Sequence, residues 1–421
     1  MTATLMANEQ LSARRAVEAL RSGVPSRAGV AALGSGQYEI EDRFLDLLDG
    51  VGTVRPTEDR GLLLGGGFGS GKSHVLEHLA HLALDRGFAV SRVVVSKETP
   101  LHDPAKVLRA AIESAVSPNG AIGAVAEAAA SLDAGGPGFA ELLRWASGGP
   151  VDERFPLTLR LLPHAQAGDD DFAEAIVRFW SGDPLRVAEL RRQAKLVGEG
   201  RRALAAVPAT ELAVQRFRFL ARLFVATGCQ GWVLLFDEVE LIGRYTLLQR
   251  AKSYAQLVDW LLADPDDPAS PLVTMLAMTD DFDAAVLTEK NDREIVPAKL
   301  RAKEQPQWDE IAGRAETGMR LVERHMLLLR QPDTAELEQT YRRLKALHSE
   351  AFEWDAPDVA GLERLGATRM RQYVRAWINE WDLVRMDPSY RPQTEVVPIA
   401  ISYDEVPDLG IDGNLVAPED A

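Results

Sequence analysis

The stretch Gly66-Gly67-Phe68-Gly69-Ser70-Gly71-Lys72-Ser73 constrains this chain more than any other. It fills every fixed position of G-x-x-x-x-G-K-[ST]. Leu62, Leu63 and Leu64 precede it as a short apolar run, the pattern of a buried strand. Val75, Leu76, Leu79, Leu82 and Ala83 follow at helical spacing. Gly66, Gly67, Gly69 and Gly71 allow the backbone to curl where a Cβ would obstruct it. The loop amides can then face one centre, and the helix N-terminus adds partial positive charge, which suits a phosphate. Lys72 is expected to reach the β- and γ-phosphates of a nucleotide, and Ser73 to ligate Mg²⁺. Phe68, Ser70 and His74 complete the candidate contacts of this loop–helix junction. A glycine-rich turn with an accidental lysine is the alternative, and the flanking strand and helix argue against it.

A second signal lies far along the chain. Trp232-Val233-Leu234-Leu235-Phe236 reads as a buried strand and ends in Asp237-Glu238. Two acids at the carboxyl end of such a strand can work together: Asp237 on the hydrated metal, Glu238 as the base for an attacking water. Glu240 and Arg244 follow closely, either as surface charge or as a link to a neighbour. The run Leu272 to Met278 reads as another strand, with Thr279 at its end. The Thr279 hydroxyl serves either the γ-phosphate and its attacking water or a plain helix cap.

Composition narrows the classes. The chain has 421 residues and 46% hydrophobic content, enough for two or three domains. Its net charge is −16, which argues against a broadly nucleic-acid-binding or membrane-surface protein. The single cysteine, Cys229, permits neither a disulfide framework nor a zinc cluster and reads as a small core residue. No apolar run approaches the roughly 20 residues of a membrane span, and the first residues lack a signal peptide's apolar core, so the cytoplasm is the expected compartment.

The pattern divides the chain into an N-terminal helical segment (1–35), a first α/β part with the loop (36–116), an α-helical insert (117–211), a second α/β part (212–332), a helical lid (333–385) and an acidic tail (386–421). The insert far exceeds the dozen or so residues a crossover needs. Phe88–Val95 reads as a further strand and Leu321–Leu329 as the fifth. Residues 282–320 are charge-rich and carry no clear period. Tyr373, Trp377 and Trp381 recur at helical spacing and read as core.

The order of these parts resembles the AAA+ ATPases, and within them the initiator-related branch. The resemblance implies an α/β fold with a five-stranded parallel sheet, the large α-helical insert and a C-terminal helical lid. In that branch an adenine-binding segment precedes the loop, as Gly36-Gln37-Tyr38-Glu39-Ile40-Glu41 does here, with Gln37 in place of the usual arginine. A G-D-x-R motif opens a lid helix there, and its arginine contacts the γ-phosphate. Gly366-Ala367-Thr368-Arg369 matches with alanine for aspartate, which assigns that role to Arg369, with Arg371 as competitor. Residues 18–48, 65–83 and 234–257 look more closely like the ATP-binding proteins of BREX bacteriophage-defence systems.

That likeness implies a Mg²⁺-dependent ATP hydrolase in phage restriction, with other defence proteins as partners and an ATP-dependent homo-oligomer. A neighbouring copy would supply an arginine, with Arg293, Arg301, Arg314 and Arg320 as candidates. Initiator relatives carry a winged-helix domain after the lid, and residues 386–421 are too short and too acidic for one. A DNA contact would therefore fall elsewhere. The cluster Arg201, Arg202, Arg216, Arg218 and Arg222 offers itself, or is simply a solvated helix face. The alternative to hydrolysis is an ATP-dependent switch that recruits partners through the helical insert.

Overall fold

The computed structural model describes residues 2–22, 29–30, 33–52, 59–200, 204–265, 267–359 and 370–390. Helices α1 (Thr2–Ser22) and α2 (Tyr38–Asp49) lead into strand β1 (Gly61–Gly65), helix α3 (Lys72–Asp85) and strand β2 (Ala89–Val94). Among the described residues seven helices follow before the next strand: α4 (Pro104–Glu113), α5 (Ala124–Ser131), α6 (Pro137–Ser147), α7 (Arg154–Gly168), α8 (Asp170–Trp180), α9 (Val187–Leu196) and α10 (Ala209–Ala226). Strand β3 (Trp232–Asp237), a 3₁₀ turn (Val239–Arg244), α11 (Leu247–Leu261) and β4 (Leu272–Met278) come next. Then come a π-helical turn (Asp283–Thr288), α12 (Asp292–Arg301), α13 (Pro306–His325), β5 (Met326–Leu328), α14 (Thr334–Phe352) and α15 (Met370–Met386).

The five strands form one parallel sheet in the order β2-β3-β4-β1-β5. Apolar side chains alternate between its faces. Trp232, Leu234 and Phe236 join one core layer with Leu63 and Leu276. Val233 and Leu235 join the other with Leu64, Met275 and Ala277, under α2 and α3. A sheet covered on both faces is what continuous apolar strands such as these require.

The helices between β2 and β3 share the first of those layers with the sheet, through Phe155, Phe179, Trp180 and Phe219. Their aromatic rings meet at centroid distances of 5.0 to 5.2 Å. Helix α5 lies in an Ala/Gly-rich stretch of the insert. Its alanines form helix readily but give no large apolar period to recognise.

Two further expectations change. Leu321 and Val322 belong to α13 and not to the fifth strand, which is only Met326–Leu328. The charge-rich residues 282–320 also fold into helices, because small residues carry the burial there. Ala312, Ala315 and Gly318 line one side of α13 against α11. A Cβ on Gly318 would lie 1.9 Å from the Tyr254 carbonyl oxygen, so the two helices approach at backbone distance.

A third apolar cluster joins the first helix to the last two: Ala13, Val17 and Leu20 pack with Leu344, Ile378 and Trp381. Tyr373, Trp377 and Trp381 are buried in it, as their spacing predicts. Arg14 Nε donates to the Ala351 carbonyl (2.6 Å) and Arg21 pairs with Asp382 (2.5 Å), fastening the same contact.

Candidate functional site

Parallel pairing brings three loops to one edge of the sheet. Gly65 is in register with Met278 and Leu328, and Phe236 with Leu276. The segments after β1, β3 and β4 therefore emerge side by side at the carboxyl ends, where open α/β sheets bind ligands. A cleft of about 740 Å³ opens there. Gly69–Ser73, Asp237, Glu238 and Glu240 line one part of it; Gly36, Gln37, Tyr38, Arg330 and Glu336 line another, and Arg371 of α15 also lines it.

The loop is shaped by two glycines in the left-handed region, Gly69 (φ +76°) and Gly71 (φ +107°), the latter capping α3. Gly66 serves a different need: a Cβ there would meet Ser70 Oγ at 2.5 Å. Lys72, only 8% exposed, donates from Nζ to the carbonyl oxygens of Gly66 (2.7 Å) and Gly67 (3.3 Å). The loop is thus closed around its own lysine. Ser73 stands beside it on the cleft wall.

Asp237 ends β3, and its Oδ1 accepts the Glu238 backbone N–H at 2.9 Å. Glu238 has φ +58°, a left-handed conformation that costs a non-glycine residue roughly 1 kcal/mol. This turn sets the Glu238 side chain on the cleft. Burial, then the Asp237 charge, raises the Glu238 pKa above the ordinary carboxylate value, against Lys72 and Arg244.

Glu240 is 5% exposed, which settles its two sequence readings against surface charge. Burial pushes its pKa up to about 7, opposed chiefly by Lys72. Only its position three residues after Asp237 could have flagged it.

The remaining expected residues are distributed as follows. Gly66 N–H donates to the Met278 carbonyl at 3.2 Å, so Thr279 emerges next to the loop. Thr279 is 1% exposed and is not among the residues lining the cleft. Gln37 lines it, but both ends of its amide are engaged: Nε2 donates to Arg330 O (3.0 Å) and Oε1 accepts Arg330 N–H (2.9 Å). Arg330 also donates to Gly36 O and Glu336, tying β5 and α14 to the segment before α2. Sequence reasoning missed this residue. His74 Nε2 lies 2.7 Å from the Gly34 carbonyl, and burial lowers its pKa. Arg369 lies outside the described residues. Its competitor Arg371 sits with its guanidinium 5.9 Å from the Phe68 ring centroid.

Ser73 and Asp237 offer hard oxygen donors, the chemistry Mg²⁺ takes when phosphates supply the rest. Among the described residues no group of three or more His, Cys, Asp or Glu is placed to hold a metal by itself.

The arginine cluster changes character. Arg216 is 4% exposed, donates to the Phe179 carbonyl (2.8 Å) and lies over the Phe179 ring; Arg218 pairs with Asp264 and Arg222 with Asp267. These three hold the fold together and present no basic face; Arg201 and Arg202 lie outside the described residues.

No helix of the described residues is long and apolar enough to cross a membrane. No curated protein and no solved structure matches the chain significantly. A family model does match, over residues 9–127 and 152–396, which take in the loop, the acids after β3 and the helices to α15. The chain therefore belongs to the family described as BREX system ATP-binding protein BrxC/D.

Proposed function

We propose that the protein is a Mg²⁺-dependent ATPase of cytoplasmic phage defence, whose nucleotide cycle drives assembly or remodelling of a defence complex. The observation that carries this reading is that Lys72, Ser73, Asp237 and Glu238, from segments remote in sequence, line one cleft. Membership of an ATP-binding family supports ATP as the ligand.

In this reading the amides of Gly66–Ser73 and the Lys72 ammonium grip the triphosphate, while Ser73 and Asp237 provide oxygens for Mg²⁺. Bound magnesium would neutralise phosphate charge. Glu238 orients a water and takes its proton as the water oxygen attacks the γ-phosphorus in line; the bond from that phosphorus to the β,γ-bridging oxygen breaks, and ADP and inorganic phosphate leave. Thr279 stands behind the loop as a support or a γ-phosphate contact. Arg369, or Arg371, reports nucleotide state to the C-terminal helices.

Glu238→Gln tests this. It should keep binding of a fluorescent ATP analogue within about threefold of wild type while turnover falls at least about a hundredfold, the range of a general base. Undiminished turnover in that variant would remove Glu238 from the role. A wild-type protein that binds ATP yet never hydrolyses it would leave the switch reading in place.

A further inference from the structure

Beside the loop, the cleft holds an acid that the proposed chemistry does not use. Glu240 opens the 3₁₀ turn after β3, lines the cleft with Lys72, Asp237 and Glu238, and is 95% withdrawn from solvent. Among the described residues its Oε2 has no hydrogen-bond partner. A buried polar oxygen without a partner is destabilising by roughly 1–3 kcal/mol and calls for an explanation. Here its place supplies one: it lines the cleft together with the loop residues that would hold phosphates and with two other carboxyls, Asp237 and Glu238.

We propose that Glu240 is the proton-binding residue of the nucleotide site: entry of a nucleoside triphosphate draws one proton from solvent onto its carboxyl group, and the new O–H is donated to the bound phosphate. This deepens the ATP-binding reading and rests on it. The charge balance gives the direction. Lys72 is the cation that favours an ionised Glu240, whereas Asp237 and Glu238 oppose it. The magnesium complex of a triphosphate engages Lys72 and still carries net negative charge once the metal's two positive charges are counted, so both changes favour the neutral acid. In the unliganded chain burial already brings this group to about 7, so the added charge carries it across neutrality. His74 and His78 of α3, Arg371 of α15, and Arg330 and Glu336 on the far wall also line the cleft, so a control must separate them.

The test is isothermal titration of the full chain with the magnesium complex of the β,γ-imido analogue of ATP, in buffers of different ionisation enthalpy at pH 8. Wild type should take up close to one proton per site, and its affinity should weaken by up to about tenfold per pH unit above 7. Glu240→Gln reproduces the neutral acid's shape, so it should fold and bind. It should take up about one proton fewer, with affinity level across the same range. Equal uptake in wild type and variant would assign the proton to another group, such as His74, and overturn the proposal. So would binding by wild type without uptake. Absence of any binding heat in wild type would instead overturn the nucleotide reading itself, and this inference with it.

Discussion

Arg250 grips Asp292 with two bonds, Nε to Oδ2 at 2.7 Å and Nη2 to Oδ1 at 2.9 Å, and both residues are buried. The same guanidinium donates from Nη1 to the Tyr245 carbonyl (2.7 Å), just past the turn that carries Glu240. Lys290 donates to Gly243 O of that turn (3.1 Å), and the Tyr245 hydroxyl to Ser96 O (2.8 Å). The acid-bearing turn is thus fixed from behind by α11 and α12.

Asp292→Asn should therefore destabilise the fold by about 3–5 kcal/mol, because it leaves a buried guanidinium without its counter-charge. Urea denaturation measures this. A loss under about 1 kcal/mol would show the fork to be dispensable.

Lys72→Ala should weaken MgATP binding by about ten- to a hundredfold, the worth of a charge-assisted hydrogen bond to phosphate. Equilibrium binding of a fluorescent analogue reads it directly. The same change removes the bonds to Gly66 and Gly67, so the melting temperature should also fall slightly. Binding as tight as wild type would place the triphosphate elsewhere.

Much of the loop and of β3 was legible because a motif with fixed spacing and an uninterrupted apolar run are local signals. Asp237 and Glu238 could be read for the same reason. Glu240 could be seen in the sequence only as a nearby acid with two open readings, and Arg330 not at all, since burial decides the first and a partner nearly 300 residues away the second. Likewise α13 buries alanine and glycine against α11, which no hydrophobic period announces. The arginine cluster reads as basic in sequence, but Asp264 and Asp267, which neutralise part of it, are brought in by folding alone.

Gln37 spends its amide on the Arg330 backbone, which makes it a brace for the cleft wall and leaves little for reading a base. Gln37→Ala should lower stability by about 1–2 kcal/mol, the net worth of two hydrogen bonds. It should leave the ratio of ATP to GTP affinity within about twofold. A marked change in that ratio with unchanged stability would return Gln37 to base recognition.

His102 packs edge-on against Tyr245, ring centroids 5.5 Å apart, and burial lowers its pKa to about 4. The folded value lies below the unfolded one, so the unfolded chain takes the proton first as pH falls. Stability from the neutral ring is complete above about pH 6.5 and is lost between there and pH 4. After allowing for partial solvent contact, the loss at pH 5 should be about 1–2 kcal/mol. His102→Gln should flatten that part of the stability profile. An unchanged slope would assign the acid sensitivity to another group.

The arginines proposed to act across a subunit boundary are not equivalent. Arg293 pairs with Asp283 and Glu323, Arg301 with Glu316, and Arg314 with Asp259. Recruiting any of these to a neighbour's phosphate means breaking an ion pair first. Arg320 donates to the Thr317 hydroxyl at 3.0 Å and lies near the Glu316 charge, a weaker hold than a direct ion pair. It is therefore the least firmly held of the four. If ATP-driven association forms the complete site, specific activity should rise with protein concentration. Arg320→Ala should lower the plateau by about a thousandfold, the lower end of what such arginines contribute, while ATP binding persists. Flat activity across the dilution series, or an Arg320→Ala plateau equal to wild type, would count against a residue supplied in trans at this position.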